Sequence, residues 1–395
     1  MTEPDAPSDG TGLQLLPRTR DAIAAGIAEG LHLGAQLYVS RRGVAVADAA
    51  LGECRPGEAL RRGQLMLWQS STKPLAAVAV AQLWERGLLE LDDPVARHIP
   101  EFAVHGKGAI TLRHLLTHTG GIRLLKVGWP EEPWDAIVAR IAAMRPEPRW
   151  EPGAKAGYHH ASSWFLLGEV IRRRDGRPFD RYVRDELCAP LGLDDSWVGM
   201  PGAVWRRYSE SGRICPMYST EGPPGTPPRP QGWDSEAWST GVNPGANGYG
   251  PISQLGRFYE MLLARGAAPP PAPGEPPGRV LSPQAVEALT ARHRAGMFDH
   301  TFQHVLDWGL GFIVDSNQYG ADTVPYGYGP HASPRTFGHS GYRSSTAFAD
   351  PEHGLAVALA FNGIPSNEAH ERRLRAVLGA LYADLGLATS RPAKS

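Results

Sequence analysis

The fold is organised around one stretch of the sequence, Trp68-Gln-Ser-Ser-Thr-Lys-Pro-Leu-Ala-Ala-Val-Ala-Val-Ala-Gln-Leu-Trp84. From Leu75 to Leu83 it consists of Ala, Val and Leu with a single Gln, a composition that predicts a buried helix. Pro74 is tolerated only in about the first turn of a helix, so the helix begins near Ser70. We therefore expect Ser70 and Lys73 to lie together in that first turn.

Ser70 and Lys73 together predict a nucleophile and its proton acceptor. Side chains three residues apart project from the same helical face, so the hydroxyl and the amine can form a hydrogen bond. The helix N-terminus and burial both lower the pKa of Lys73, because both disfavour the ammonium. A partly neutral lysine beside a serine is the Ser-Lys form of acyl-transfer catalysis. The alternative interpretation is a serine that merely caps the helix.

Composition limits the partners that the protein can have. The chain has 395 residues, 42% of them hydrophobic and 21% charged, with a formal net charge of −1. This length suits one large domain or two closely packed ones, and the charge gives no reason to expect nucleic acid or an anionic membrane as a partner. Cys54, Cys188 and Cys215 are widely spaced, which predicts neither a disulfide framework nor a zinc site. The N-terminus is acidic and no apolar run could span a bilayer, so we expect a cytoplasmic protein.

The order of the predicted elements indicates an α/β sheet domain interrupted by a helical insertion. A helix and a hairpin precede Ser70, and four strands followed by a helix close the chain. We expect residues 12–95 and 285–388 to form the sheet domain, with the mainly helical residues 96–284 and their irregular loops inserted between them. Residues 1–11 and 389–395 are expected to be disordered tails.

His114 and His118 are four residues apart, a spacing that can bind a metal ion on one face of a helix. No Glu stands beside His114, as it would in a zinc-peptidase helix, and no third ligand is evident. We therefore predict packed or hydrogen-bonded histidines, with no metal site and no cofactor.

Three motifs in this order resemble those of the penicillin-recognising serine hydrolase superfamily: Ser70-Ser-Thr-Lys73, Tyr158-His-His160 and Gly338-His-Ser-Gly-Tyr342. The similarity covers nearly the whole chain and includes Leu115-Leu-Thr-His-Thr-Gly-Gly121 and Trp308-Gly-Leu-Gly-Phe312. It is closest in style to class C β-lactamases, D-alanyl-D-alanine peptidases and β-lactamase-like carboxylesterases. The resemblance implies a β-lactamase/transpeptidase-like α+β sandwich, with an antiparallel sheet flanked by the N- and C-terminal helices.

The resemblance also implies a role for each site residue. Ser70 is the nucleophile, Lys73 is its proton acceptor, and Tyr158 is a second base, a phenolate or near-phenolate held by Lys73. This assignment has a physical basis, because a tyrosine needs a neighbouring cation to ionise near neutral pH. The backbone N–H groups of Ser70 and Tyr342 form the oxyanion hole. Losing one donor of this kind typically lowers the rate about a hundredfold or more.

The motifs depart from those of penicillin-binding members at two places. His160 stands where those proteins usually have an Asn that helps to hold the substrate amide, and His339-Ser340-Gly341 stands where they usually have Lys-Thr-Gly. A largely neutral imidazole anchors a carboxylate less well than an ammonium does. Both changes favour neutral esters over β-lactams and cell-wall peptides. We expect substrate contacts at His160, His339, Ser340 and Gly341, and at Trp233 and Trp238 on irregular segments.

The sequence therefore predicts a serine enzyme that hydrolyses a small-molecule ester through an acyl-Ser70 intermediate. The nearest alternative is a transacylase that passes the acyl group to an amine or alcohol acceptor from a biosynthetic pathway. A β-lactamase or D-amino-acid peptidase, and a non-catalytic sensor that stays acylated, are further alternatives. Gly338-His-Ser-Gly also resembles the Gly-x-Ser-x-Gly elbow of α/β-hydrolases, with Ser340 as nucleophile, but Tyr342 replaces the last Gly and strand residues follow it.

Overall fold

The main sheet is antiparallel and lies between two layers of helices. The computed structural model describes residues 8–123, 126–223, 225–270 and 276–388. Within these residues the sheet has nine strands, and Glu58–Ala59 is a short strand paired with Val44–Arg55. The other eight follow one another across the sheet in the order Ser8–Thr11, Val44–Arg55, Gly34–Arg41, Leu355–Phe361, Ser345–Asp350, Phe337–Gly341, Ile313–Val314 and Asp307–Trp308.

The helices surround this sheet and fill the insertion. The described α-helices are Pro17–Ala28, Lys73–Glu85, Val95–His98, Leu112–Leu116, Trp134–Ala143, Ser162–Asp175, Phe179–Val183, Gly202–Glu210, Glu236–Thr240, Ile252–Leu263, Pro283–Thr290 and Asn367–Asp384. Short two- and three-residue strands form small sheets at Met66–Leu67, Trp197–Val198 and Gly248–Gly250, at Tyr218–Ser219, Arg229–Pro230 and Gly363–Ile364, and at Phe298–Asp299 and His304–Val305. No helix in the described ranges has the length and apolar character needed to cross a membrane.

The central strand Leu355–Phe361 shows how the sequence distinguishes the two faces of the sheet. Its residues alternate between large side chains and alanine, and alternate residues of a strand point to opposite faces. Leu355, Val357, Leu359 and Phe361 join one hydrophobic cluster, whereas the three alanines join the other. The alanine face therefore leaves room for an element that packs closely.

The large-residue face packs against the terminal helices. Pro17–Ala28 and Asn367–Asp384 contact each other and contribute Ile23 and Leu378 to that cluster. The predicted antiparallel sheet flanked by N- and C-terminal helices is thereby confirmed. One part of the expected N-terminal tail differs: residues 8–11 form a strand paired with Val44–Arg55, because that edge strand still has free backbone groups. The remainder of both predicted tails lies outside the described residues.

The alanine face packs against the helix Ile252–Leu263, which approaches closely because Gly256 lies against the ring of Tyr38. A Cβ at Gly256 would lie 2.1 Å from that ring. Our prediction placed this helix in the insertion, yet it forms one layer of the sheet domain. The helix Lys73–Glu85 lies in the same cluster and is buried from Lys73 to Leu83, as its composition predicts.

Candidate active site

Ser70 lies in a short 3-10 turn, Gln69–Thr72, that leads directly into the helix Lys73–Glu85. Gln69 has a φ angle of 51°, a left-handed conformation that is uncommon for a residue with a side chain. The Thr72 hydroxyl holds the turn, because it donates to the Gln69 carbonyl at 2.6 Å and accepts from the Gly248 N–H at 2.8 Å. Ser70 is partly exposed and Lys73 is fully buried, so the hydroxyl is accessible while its partner lies behind it.

The Lys73 amine has three close polar neighbours. Its Nζ lies 3.0 Å from Ser70 Oγ, 3.0 Å from the His160 carbonyl oxygen and 2.7 Å from the Gly245 carbonyl oxygen. Burial lowers the pKa of Lys73 well below its usual value. A neutral amine has two N–H groups, which fit the two carbonyls, and one lone pair, which is then left for the Ser70 hydroxyl. The surroundings of Lys73 therefore suit a proton acceptor.

Tyr158 completes a cluster with Ser70 and Lys73. Lys73 Nζ lies 5.0 Å from the centre of its ring. Burial raises the pKa of Tyr158, and the neighbouring Ser70 side chain offsets this only in part. Burial thus disfavours the phenolate that the resemblance implies, and Lys73, whose pKa burial also lowers, supplies little charge to offset this. A neutral phenol at this position can relay a proton.

The strand Phe337–Gly341 borders the cluster from the sheet. The ring of His339 is buried and its centre lies 6.0 Å from that of Tyr158. Burial lowers the pKa of His339 well below its usual value, so the imidazole is neutral. Ser340 is also buried, and its hydroxyl lies 3.0 Å from that of Thr346. Neither side chain is freely exposed for the substrate contacts that the sequence predicts.

Gly341 brings the turn at Tyr342 against the Ser70 segment. A Cβ at Gly341 would lie 2.6 Å from the Trp68 carbonyl oxygen and 2.7 Å from the Gln69 Cβ, so only glycine fits here. The Tyr342 side chain is exposed, and the centre of its ring lies 4.4 Å from the Arg343 guanidinium carbon. The close approach at Gly341 brings the end of the strand Phe337–Gly341 against Trp68 and Gln69, the two residues that precede Ser70.

His160 reaches the cluster through its backbone, since its carbonyl is one of the two acceptors of Lys73. Its side chain is exposed. A cavity of about 490 Å³ is lined by Tyr158 and His160 with Arg123, Met144, Glu147, His300 and Thr301. Arg123 and Glu147 form an ion pair in this wall.

Replacing His160 by alanine is expected to raise KM for a small ester while kcat stays within about threefold of the wild-type value. Any residue at this position supplies the carbonyl that Lys73 contacts, so the substitution removes only a cavity wall. Steady-state kinetics with a p-nitrophenyl ester would measure both constants. A tenfold loss of kcat at unchanged KM would show instead that the imidazole takes part in the chemistry.

Trp233 and Trp238 form an aromatic cluster away from this wall. Their rings stack with centres 5.2 Å apart, and Trp238 meets Trp129 edge-on at 4.5 Å. Among the described residues, no ring contact joins Trp233 or Trp238 to Tyr158, His160 or His339. Trp129 and Trp134 instead line a separate cavity of about 400 Å³. The aromatic segments thus form a cluster and a cavity of their own, beside the loop that carries Gly245.

Sequence reasoning missed two residues at the site. Gly245 contributes a backbone carbonyl, which any residue has, so its sequence carries no signal for this contact. The other is Tyr326, whose pKa burial raises to about 12. Its ring packs on Phe302, which in turn packs on Tyr158. An aromatic in a Gly- and Pro-rich segment was the only available signal for Tyr326.

Two alternatives raised by the sequence concern the histidine pair and Ser340. His114 Nδ1 accepts from the Thr111 N–H and His118 Nδ1 accepts from the His159 N–H, as expected for hydrogen-bonded histidines. No group of metal-binding side chains occurs within the described residues. Ser340 lies within a strand that turns into a second strand, Ser345–Asp350, and not at a strand-to-helix elbow.

Comparison with known proteins identifies the class of protein. The chain is 29% identical to Esterase/beta-lactamase LipL of Mycobacterium tuberculosis, over 75% of this chain and 69% of that protein. It is 27% identical to Esterase EstB of Burkholderia gladioli, over 84% of this chain and 86% of that protein. The crystal structure of a penicillin-binding protein homologue from Caulobacter crescentus superposes with a TM-score of 0.77 at 30% identity, over 96% of this chain and 100% of that chain.

These relatives are two esterases, one of them also named as a β-lactamase, and a penicillin-binding protein homologue whose fold this chain shares. The sequence matches the Beta-lactamase family over residues 19–382, and the chain belongs to that family. The resemblance and the β-lactamase-like fold predicted from the three motifs are therefore confirmed. Ester hydrolysis or acyl transfer is the activity that fits these relatives.

Proposed function

We propose that the protein is a carboxylesterase that forms an acyl-Ser70 intermediate from a neutral small-molecule ester. One observation carries the proposal: Lys73 Nζ lies 3.0 Å from Ser70 Oγ, and its other two close polar neighbours are backbone carbonyls. None of these three neighbours is a carboxylate and the amine is fully buried, so its uncharged form is favoured, and its lone pair can accept the Ser70 proton. Ser70 can then act as a nucleophile near neutral pH.

In the acylation step the Ser70 proton moves to Lys73 as Oγ attacks the ester carbonyl carbon. The backbone N–H groups of Ser70 and Tyr342 stabilise the oxyanion that develops on the carbonyl oxygen. Tyr158 relays a proton to the leaving oxygen, and the bond between the acyl carbon and this oxygen breaks. The products are an alcohol and the acyl-Ser70 ester.

In the second step an acceptor hydroxyl attacks the acyl-Ser70 carbonyl carbon, and the bond between this carbon and Ser70 Oγ breaks. The proton of the acceptor passes through Tyr158 and Lys73 to Ser70 Oγ. Water as acceptor yields a carboxylic acid, and an alcohol yields a new ester. The cavity of about 490 Å³ beside Tyr158 has room for an alcohol, so transacylation remains the second candidate. An amine acceptor would react in the same way and yield an amide.

The substrate that suits this site is uncharged. His339 occupies the place where the resembled peptidases and β-lactamases have a lysine, and its buried imidazole is neutral. A carboxylate on the substrate would therefore find no cation there. This supports ester hydrolysis over a β-lactamase or a D-amino-acid peptidase.

Intact-mass spectrometry during turnover of p-nitrophenyl butyrate, with and without added glycerol, tests the proposal. An esterase shows a transient butyryl adduct that maps to Ser70, and its only acyl product is butyrate. A transacylase releases the same nitrophenol but forms glyceryl butyrate as well. A permanent adduct would indicate a sensor, and the absence of any adduct would contradict acyl-Ser70 chemistry altogether.

A further inference from the structure

The backbone that carries Tyr158 belongs to no helix or strand, yet it is held from two sides. Residues 157–160 lie between an isolated bridge at Ala156 and the helix Ser162–Asp175. On one side His118 binds the two residues that flank Tyr158 in the sequence. The Gly157 N–H donates to the His118 carbonyl at 3.0 Å, and the His159 N–H donates to His118 Nδ1 at 2.9 Å.

On the other side the turn at residues 299–301 binds Tyr158 itself. The Tyr158 N–H donates to Asp299 Oδ1 at 3.1 Å, and the Thr301 hydroxyl donates to the Tyr158 carbonyl at 3.2 Å. The His300 N–H donates to the Ala156 carbonyl at 2.9 Å. Both backbone polar groups of Tyr158 are thus bound by two residues of one turn.

The Asp299 carboxylate also holds this turn in shape. Its Oδ1 accepts the N–H groups of Thr301 at 2.8 Å and Phe302 at 3.0 Å in addition to that of Tyr158. Its Oδ2 accepts from Arg294 Nη2 at 3.0 Å. The carboxylate therefore makes four hydrogen bonds, and moving it would displace the turn and Tyr158 together.

Arg294 connects the two supports. One nitrogen of its guanidinium donates to Asp299, and another donates to the Thr117 carbonyl at 3.1 Å, next to His118. The side chains of Arg294 and Asp299 are only 1% and 0% exposed. Burial lowers the pKa of Arg294 to about 10, so the guanidinium is still charged at neutral pH. A buried ion pair adds little net stability, because removing two charges from water is costly. The clearest contribution of this pair is that it fixes one geometry.

We propose that Asp299, held by Arg294, is a positioning residue that sets the Tyr158 hydroxyl against Ser70. The inference rests on the proposed function, because it requires Tyr158 to relay protons at Ser70. Asp299 does not touch the substrate. It acts by fixing the backbone from which Tyr158 projects, and a displacement of about 1 Å at a reacting group can lower a rate about a hundredfold.

Asp299→Asn is expected to lower kcat by about tenfold to a hundredfold while KM changes less than about twofold. Asparagine keeps the size of the side chain but has one acceptor oxygen, so it cannot bind the three N–H groups and Arg294 together. Thr301→Val removes the bond to the Tyr158 carbonyl and the one that the Thr301 hydroxyl accepts from Arg123 Nη1 at 3.0 Å, and it should lower kcat by a smaller factor. This second variant leaves the buried ion pair intact and decides the matter if Asp299→Asn does not fold.

Asp307→Asn is the matched control. Asp307 is equally buried and pairs with Arg292, and its other hydrogen bonds go to Gly296, Gln318 and Tyr319. This variant should lose thermal stability as Asp299→Asn does but keep kcat within about twofold. A fall in kcat that merely followed lost stability would appear in both variants and would contradict positioning.

A double-mutant cycle with Tyr158→Phe, measured on an activated p-nitrophenyl ester, completes the test. If Asp299 acts through the Tyr158 hydroxyl, Asp299→Asn lowers kcat no further once that hydroxyl is removed. An undiminished effect in the Tyr158→Phe background would overturn the inference, as would wild-type kcat in both Asp299→Asn and Thr301→Val. Wild-type turnover by Tyr158→Phe alone would instead refute the relay in the proposed function, and the inference with it.

Discussion

Replacing Ser70 by alanine is expected to lower kcat by at least about 10⁴-fold and to abolish the acyl adduct. The substitution removes the only atom that forms a bond to the acyl group, so the remaining groups can bind the ester but cannot form the intermediate. Stopped-flow release of p-nitrophenol and intact-mass spectrometry would measure the two effects on the same preparation. The fold should persist, because Ser70 is partly exposed and alanine fits a helical turn.

Ser253→Ala provides the control for this prediction. Ser253 lies in the helix Ile252–Leu263, which packs on the sheet, and it is partly exposed as Ser70 is. Its alanine variant should retain wild-type turnover. Full turnover by the Ser70→Ala protein would move the nucleophile elsewhere and remove the basis of the proposed function.

Lys73→Met is expected to lower kcat/KM by about 10³-fold and to change the dependence of the rate on pH. In the wild type only the neutral amine accepts the Ser70 proton, so kcat/KM rises as the pH rises through the pKa of Lys73. Burial lowers this pKa, and the plateau should therefore begin well below the value of about 10.4 for an exposed lysine. Methionine cannot titrate, so the variant should lack this rise.

Lys107→Met is a closely matched control. Lys107 is also buried, and its amine also donates to two backbone carbonyls, those of Ala142 and Met144. Burial lowers the pKa of Lys107 as well. The variant should lose stability but keep the wild-type pH profile of kcat/KM. A wild-type rate that continued to rise towards pH 10.4 would contradict a neutral Lys73 amine.

Sequence patterns of a few residues predicted those helices and strands whose form is determined within the same few residues. The position of Pro74 and the apolar run after it were enough to place the start of a buried helix at Ser70, and a spacing of three residues placed Lys73 beside it. The alternation of large residues with alanine in Leu355–Phe361 likewise reflects the two faces of one strand. In both cases the signal and the structure span only a few residues.

Features that depend on long-range contacts could not be predicted in this way. Asp299 lies 141 residues from Tyr158 in the chain, and an aspartate in an irregular segment has no pattern that indicates its partner. The contact of Lys73 with the Gly245 carbonyl could not be predicted for a different reason, because every residue has a backbone carbonyl. The ionisation of Tyr158 could not be predicted either, because it depends on burial, which lowers the pKa of Lys73 and raises that of Tyr158.

The two carbonyl acceptors of Lys73 have a consequence for how such an enzyme can diversify. Because main-chain atoms hold the amine, the side chain at position 160 is free to be exchanged without disturbing the proton transfer that every substrate needs. Selection for a new leaving group can therefore act on the exposed wall of the site one residue at a time. In such an enzyme the preference for a substrate can change while the catalytic proton transfer stays the same.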